Sequence, residues 1–267
     1  MAELLRANLR VNFSYYRRSR LLLAFLLVFL LMTGLSALPP LFTHSGVQTF
    51  NTLQEIFSTL NIFLLFLSGG LGLFIISSHL RSRSLKMVFT KPCPPALWLV
   101  SAFVSAVAIS LVLTSFVLAS AVVLSLSWHL PIRAGLVFLS VDTFITSVGI
   151  IAYVMLLTML LHPAIAATLA LIFNAELFYG GQTWAEAVIR SGNSSMSLRI
   201  LERLFHFLYL LFPMVHAYGK ETEKIHTSLR VNHGDWKYLL YSLSYVLVLS
   251  AFCYSVSLFA LQRKKHI

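Results

Sequence analysis

Charge is scarce in this chain. Of its 267 residues only 11% are Asp, Glu, Lys or Arg, while 58% are hydrophobic, and the mean hydropathy is +0.83. Soluble domains carry about a quarter of their residues as charges, so a water-soluble fold is excluded and the chain is read as a membrane protein. Cysteine is as rare. Cys93 and Cys253 are the only two, too few for a disulfide framework, and neither has a neighbour spaced as in a zinc or redox pair. No stretch matches GxxxxGK[ST], the loop whose amides and lysine hold nucleotide phosphates, so the chain is not expected to hydrolyse ATP itself. Nor does HExxH or GxSxG occur in the apolar runs, which leaves an intramembrane hydrolase without a zinc site or a nucleophile.

Long apolar runs are what the chain has instead. Read against breakers, they predict an all-α polytopic protein with six transmembrane helices near Leu21–Leu38, Ile56–Ser77, Ala96–Trp128, Ala134–Leu161, Ala164–Tyr179 and Tyr238–Leu261. Each must cross a hydrocarbon layer about 30 Å thick. The third run is overlong, since its residues make about 50 Å of helix and must tilt or project. Pro39-Pro40 ends the first run. His162-Pro163 separates the fourth from the fifth, and proline suits a helix's first turn, so these two form a tight helical hairpin. The first run is long and lacks a good cleavage site, so it is expected to stay as an anchor.

Sidedness follows from the basic residues. Arg6, Arg10, Arg17, Arg18, Arg20, Arg81, Arg83, Lys86, Lys91, Arg263, Lys264 and Lys265 fall on one side of such a topology, with Glu3 the only acid beside them. Their balance equals the whole net charge of +11, because the remaining basic and acidic residues cancel. By the positive-inside rule both termini are expected in the cytoplasm of a multi-pass inner-membrane protein. The basic excess is thus topology and attraction to anionic lipid, not nucleic-acid binding, which would need a basic face on a soluble module.

Two segments read as lying on the membrane. In residues 1–20, Ala2, Leu5, Leu9, Phe13 and Tyr16 recur at helical spacing beside Arg6, Arg10 and Arg17, as in a cytoplasmic interfacial helix. In the outer segment, residues 180–237, the run Leu198, Leu201, Leu204, Phe205, Leu208 and Leu211 faces away from Arg199, Glu202, Arg203 and His206, and Pro213 stops it. A seventh crossing here would bury those charges, so an outer amphipathic helix before the last span is expected, with Leu201, Leu204, Leu208 and Pro213 forming an outer gate.

The stretch Arg81-Ser82-Arg83-Ser84-Leu85-Lys86-Met87-Val88-Phe89-Thr90-Lys91-Pro92 and the later run Leu208-Tyr209-Leu210-Leu211-Phe212-Pro213 resemble the permease subunits of ABC type-2 transporters, of the multicopper-enzyme-maturation type. In their order and sidedness they match nearly the whole chain, as a single permease domain. The chain departs from that pattern at Ser78-His79, where the family commonly has a glutamate, and at Cys93-Pro94-Pro95 and Ser101-Ala102. The resemblance implies a non-enzymatic subunit that binds a separate ATP-binding-cassette ATPase. It also implies pairing with a second permease copy, as a homodimer or heterodimer, and export of a substrate by alternating access. The coupling segment, residues 78–95, would present Arg81, Arg83, Ser84, Leu85, Lys86, Val88, Phe89, Lys91 and Pro92 to that ATPase. ATP and Mg are expected on the partner, and no cofactor on this chain.

Asp142, Asn174 and Glu176 are the polar side chains nearest the spans and are candidates for a translocation path. Asp142 becomes interfacial if the fourth span starts nearer Val141. Intramembrane carboxylates would also serve a secondary transporter, but no inverted repeat is visible. The stripe Ala102, Ala106, Ser110 and Thr114, and Gly69, Gly70 and Gly72, read as close helix packing. Met155 and Met159 share a face and also read as packing. His226, His233 and Asp235 match no metal-ligand spacing, so no metal is expected.

Overall fold

A computed structural model of the protein describes residues 2–20, 23, 27, 31, 34, 46–81, 94–172, 175–191, 195–211, 230–232 and 234–264. Eight helices make up the described residues, and no strand occurs among them: α1 (Ala2–Arg18), α2 (Gly46–Arg81), α3 (Pro95–Ser127), α4 (Ala134–Leu160), α5 (Pro163–Ile172), α6 (Ala175–Arg190), α7 (Met196–Leu211) and α8 (Asp235–Lys264). Four of them contain stretches long and apolar enough to cross a bilayer, Phe50–His79, Pro95–Ser127, Ala134–Leu160 and Asp235–Arg263. These coincide with the second, third, fourth and sixth expected spans. The chain is a membrane protein, all-helical among its described residues.

Backbone chemistry sets the helix ends. Pro94 is extended (φ −63°, ψ 134°) and Pro95 takes the first helical position of α3, where a missing N–H costs nothing. At the other end of α3, His129 adopts a left-handed conformation (φ 54°). Its N–H donates to the Leu126 carbonyl at 3.2 Å and the Leu130 N–H to the Ser125 carbonyl at 2.8 Å, which is a Schellman closure with histidine where glycine is usual. Pro131 follows and prevents resumption. α4 ends at Leu161 in an extended conformation (φ −122°, ψ 168°), since His162 precedes a proline and is biased away from the helical region. Pro163 then opens α5, which turns back along α4 and α2, giving the helical hairpin expected there.

α4 is the hub. It packs on α2, α3, α5 and α8, and its most apolar window is 67% buried within the protein, against 17% for α8. α8 therefore lies at the edge with Val248, Phe252 and Phe259 turned outward, as hydrocarbon-facing residues do. Small residues let the central helices approach. A β-carbon on Gly72 of α2 would lie 3.0 Å from the Ile151 carbonyl oxygen of α4, and one on Gly149 of α4 would lie 3.4 Å from Val246 of α8. Ala102 and Ala106 of α3 are fully buried. In lipid, where apolar burial gains little, such close packing is a main source of helix association.

The expected first span lies almost wholly outside the described residues; Leu23, Leu27, Leu31 and Gly34 are helical and exposed. In place of one fifth span, α5 and α6 follow each other, with Phe173 and Asn174 between them outside the described residues. α5 alone is about 15 Å long, half a hydrocarbon layer. α6 and α7 pack against each other: the Tyr179 and Tyr209 rings stand 5.7 Å apart, and Gly181 is seated on the Phe205 ring.

α1 forms as a helix, but its inward stripe differs from the purely apolar one in the sequence. Asn12 and Tyr16 are each 1% exposed, while Phe13 is 41% exposed. The reason is that protein, not lipid, covers its C-terminal half, where α1 packs on α3 and α2. Two hydrogen bonds, described below, set its direction.

Candidate functional site

A buried polar seam runs between α1, α2, α3 and α4, and it begins with a directional chain of hydrogen bonds. Asn12 of α1 holds Ser101 and His79 with the two ends of its carboxamide. Its Nδ2 donates to Ser101 Oγ at 3.3 Å, and its Oδ1 lies 2.9 Å from His79 Nε2. An amide oxygen only accepts, so His79 Nε2 carries the proton. Ser101 Oγ then donates to the Trp98 carbonyl at 2.7 Å. Imidazole, carboxamide, hydroxyl and carbonyl thus connect α2, α1 and α3 in one line. All four residues are buried: Asn12 1%, His79 4%, Trp98 2% and Ser101 0% exposed. Aromatic rings wall the imidazole on two sides, Tyr15 at 5.1 Å and Trp98 at 5.3 Å, both edge-on. A polar group in such a place is tolerable only when hydrogen-bonded.

Tyr16 makes the second attachment. Its hydroxyl donates to the Leu71 carbonyl of α2 at 2.9 Å, and its ring stands 5.6 Å from Phe74. Burial pushes its phenol well above the ordinary value of 10.0, so the hydroxyl remains a donor. Asn12 meets His79 while Tyr16 meets Leu71, so α1 runs in the opposite sense to α2 while packing chiefly on α3.

Deeper in the seam, three serines bridge three helices. Ser68 of α2 lies 3.1 Å from Ser110 of α3, which lies 2.7 Å from Ser147 of α4. Ser68 and Ser147 also donate to the Leu64 and Phe144 carbonyls of their own helices. With both of those protons given to backbone, Ser110 donates to one neighbour, and a bond to the other forms when that serine turns its proton from its own carbonyl to Ser110. Each interhelical hydrogen bond of this kind is worth about 0.6 kcal/mol in membrane proteins, so the serines fix register more than they add stability. Asn61 is on the same face of α2 as Ser68, seven residues away. It is 4% exposed, and neither its Nδ2 nor its Oδ1 has a partner among the described residues.

The sequence-predicted residues distribute as follows. Arg81 ends α2, with its side chain outside what is described; Arg83, Ser84, Leu85, Lys86, Val88, Phe89, Lys91 and Pro92 lie outside the described residues altogether, as do Asn174 and Pro213. Glu176 belongs to α6 by its backbone alone. Asp142 is on α4, half-buried between exposed Val141 and buried Thr143. It takes no part in the seam, and no ion pair to it occurs among the described residues. Leu201 and Leu208 are half-buried while Leu204 is 49% exposed. Met155 and Met159 are core residues, and Ala102, Ala106, Ser110 and Thr114 are all buried, as packing requires. No cluster of three or more His, Cys, Asp or Glu suited to a metal occurs among the described residues.

No family model, curated protein or solved structure matches this chain. Sequence patterning missed Asn12, His79, Ser101 and Asn61 because polar residues at such positions carry no mark of the helix they meet. The available signal was their place on buried stripes: Asn12 sits seven residues after Leu5 and four before Tyr16, and His79 four after Ile75.

Proposed function

We propose that this chain is the membrane-spanning permease subunit of an ATP-binding-cassette transporter, an exporter that works as a dimer with separate ATPase subunits. The observation that carries this reading is the His79–Asn12–Ser101 chain. It ties α1 to the last turn of α2 and the second turn of α3, the two helix ends that flank residues 82–93. Force applied to that segment by a partner would move three helices together instead of bending a loop. In this reading Arg81–Pro92 contacts the ATPase, which holds the ATP and Mg. Six crossings would arise from the Leu21–Leu38 run, the four long helices and the α5–α6 stretch. Both termini would lie in the cytoplasm, and α7 would rest in the outer leaflet as a gate.

Co-purification with an ATP-binding-cassette ATPase co-expressed from the same source, followed by reconstitution, tests the proposal. ATP hydrolysis should require the partner, and Leu85, Val88 and Phe89 replaced together by Asp should abolish both the complex and ATP-driven transport. Substantial hydrolysis by the chain alone, or an unaffected complex, would refute it. Sidedness is tested in a cysteine-free background, where a cysteine at Ser228 should label from outside and one at Lys86 only after permeabilisation.

Asp142 favours a second reading, a secondary transporter using an intramembrane carboxylate, because it is the one described carboxylate well inside a long span. Transport that follows an ion gradient without ATP and is lost in Asp142→Asn would select it.

A further inference from the structure

α3 and α8 both pack on α4 but touch each other sparingly, and between them lies a cleft of about 300 Å³. Leu99 and Phe103 of α3 form one wall, Ala152 and Met155 of α4 the floor, and Cys253 and Tyr254 of α8 the other wall. Ser250 and Ser257 also line it, but the surface they present is almost wholly apolar. Tyr254 turns its own hydroxyl onto the Ala96 carbonyl at 3.2 Å, so it presents its ring to the cleft and closes the gap between α3 and α8 at that end. Leu247 and Ala251 also line the cleft, and both are exposed on the outer surface of α8. The opening is therefore sideways, at the level of the bilayer.

We propose that this cleft is a binding site for one acyl chain of a bilayer phospholipid. Its α8 wall runs from Leu247 to Ser257, about 15 Å of helix, which is the depth of a single leaflet's hydrocarbon. The surrounding medium at that depth is lipid, and a concave, mainly apolar wall left unfilled would forfeit its dispersion contacts. A cleft of about 300 Å³ with a small-residue floor at Ala152 fits an unbranched chain, whereas a flat helix face would suit a second protein. Tyr254 bounds the cleft on the side of the start of α3. The site is independent of whether the protein is driven by ATP.

The full chain is reconstituted in phosphatidylcholine vesicles containing a trace of phosphatidylcholine with a diazirine midway along one acyl chain, then irradiated and digested. Crosslinks should concentrate on peptides bearing Phe103, Met155 and residues 247–257. They should fall sharply in Ala152→Phe, which fills the floor, and in Ala251→Trp, which blocks the rim. Ala251 is exposed, so that variant keeps the fold and decides the matter if Ala152→Phe fails to insert. Crosslinks spread evenly over outward residues such as Phe66, Phe116 and Val123, or unchanged by Ala251→Trp, would overturn the assignment. So would disulfide pairing of two copies through a cysteine at 251 in an otherwise cysteine-free chain, since a second copy would then cover the groove.

Discussion

His79 and Asn12, 67 residues apart in sequence, share a 2.9 Å hydrogen bond in a place where neither is more than 4% exposed. The bond is the hinge pin between α1 and the bundle, because the same carboxamide also holds Ser101 of α3. Asn12→Leu would remove both the acceptor opposite His79 Nε2 and the donor to Ser101. Each such bond contributes about 0.5–1.5 kcal/mol, so thermal stability in detergent should fall and hydrogen exchange in α1 should rise, with α2 to α4 protected as before. Asn12→Leu that leaves α1 exchange unchanged would show that the chain of bonds does not hold the helix.

Tyr16→Phe should be milder, about 1 kcal/mol, since the ring still fills its place and only the bond to Leu71 is lost. The pH behaviour separates the two anchors. Burial raises the phenol above 10.0, so undocked Tyr16 ionises before docked Tyr16 does. Its contribution to α1 docking is then constant below about pH 10 and declines as pH rises further. Tyr16→Phe should remove that alkaline component from α1 hydrogen exchange.

Gly72 and Gly70 offer a paired test of close packing. A β-carbon at Gly72 would meet the Ile151 carbonyl oxygen at 3.0 Å and Met155 Cγ at 3.4 Å, whereas at Gly70 nothing lies within 4 Å. The Ile151 carbonyl is backbone and cannot swing aside, so Gly72→Ala must separate α2 from α4, at about 1–3 kcal/mol for overpacking. Gly70→Ala should be neutral or slightly stabilising, because alanine favours the helix. Equal melting shifts for the two variants would mean that α2 and α4 do not approach at Gly72.

His129 ends α3 in a conformation that suits glycine. A side chain in the left-handed region costs roughly 1–2 kcal/mol, somewhat less for histidine than for branched residues. His129→Gly should accordingly raise the melting temperature, since the Leu126 and Ser125 carbonyls keep their backbone donors. A fall would assign the imidazole a contact that outweighs the strain.

How much of this was legible in the sequence depends on what carries the information. Helices α2, α3, α4 and α8 follow from uninterrupted apolar runs, and the turn at His162-Pro163 from proline's missing donor. The stripe Ala102, Ala106, Ser110, Thr114 pointed correctly to packing. The partners did not follow: that Ser110 meets Ser68 and Ser147, or that Asn12 meets His79, is a fact of tertiary register, and one residue's pattern holds no record of the helix opposite. α1 shows the limit well. Its amphipathic pattern suits a lipid surface or a protein groove equally, and only the placement of α2 and α3 shows that Asn12 and Tyr16 meet protein.

The apolar arc of α7 divides in two. Leu198, Leu201, Phe205 and Leu208 are half-buried on the side where α6 packs, whereas Met196, Ile200, Leu204 and Phe207 are 79%, 60%, 49% and 61% exposed. Arg199, Arg203 and His206 are exposed on the remaining side. Such a helix satisfies both kinds of face at a bilayer surface, with the exposed arc in hydrocarbon and the basic arc in water. Replacing Ile200, Leu204 and Phe207 with Ser should therefore loosen the helix from the membrane while leaving its pairing with α6 intact. At about 0.8 kcal/mol per methylene returned to water, three such side chains hold most of the anchoring energy. Leu201 and Leu208 replaced with Ser should do the reverse, separating α7 from α6 while the membrane-facing arc survives. Spin labels at 196, 200, 204 and 207 read the difference directly: lipid accessibility at constant shallow depth in the parent, and water accessibility in the triple variant. Labels whose depth instead deepens steadily from 196 to 207 would mean that α7 enters the bilayer core, and that its basic arc faces protein or a water-filled path.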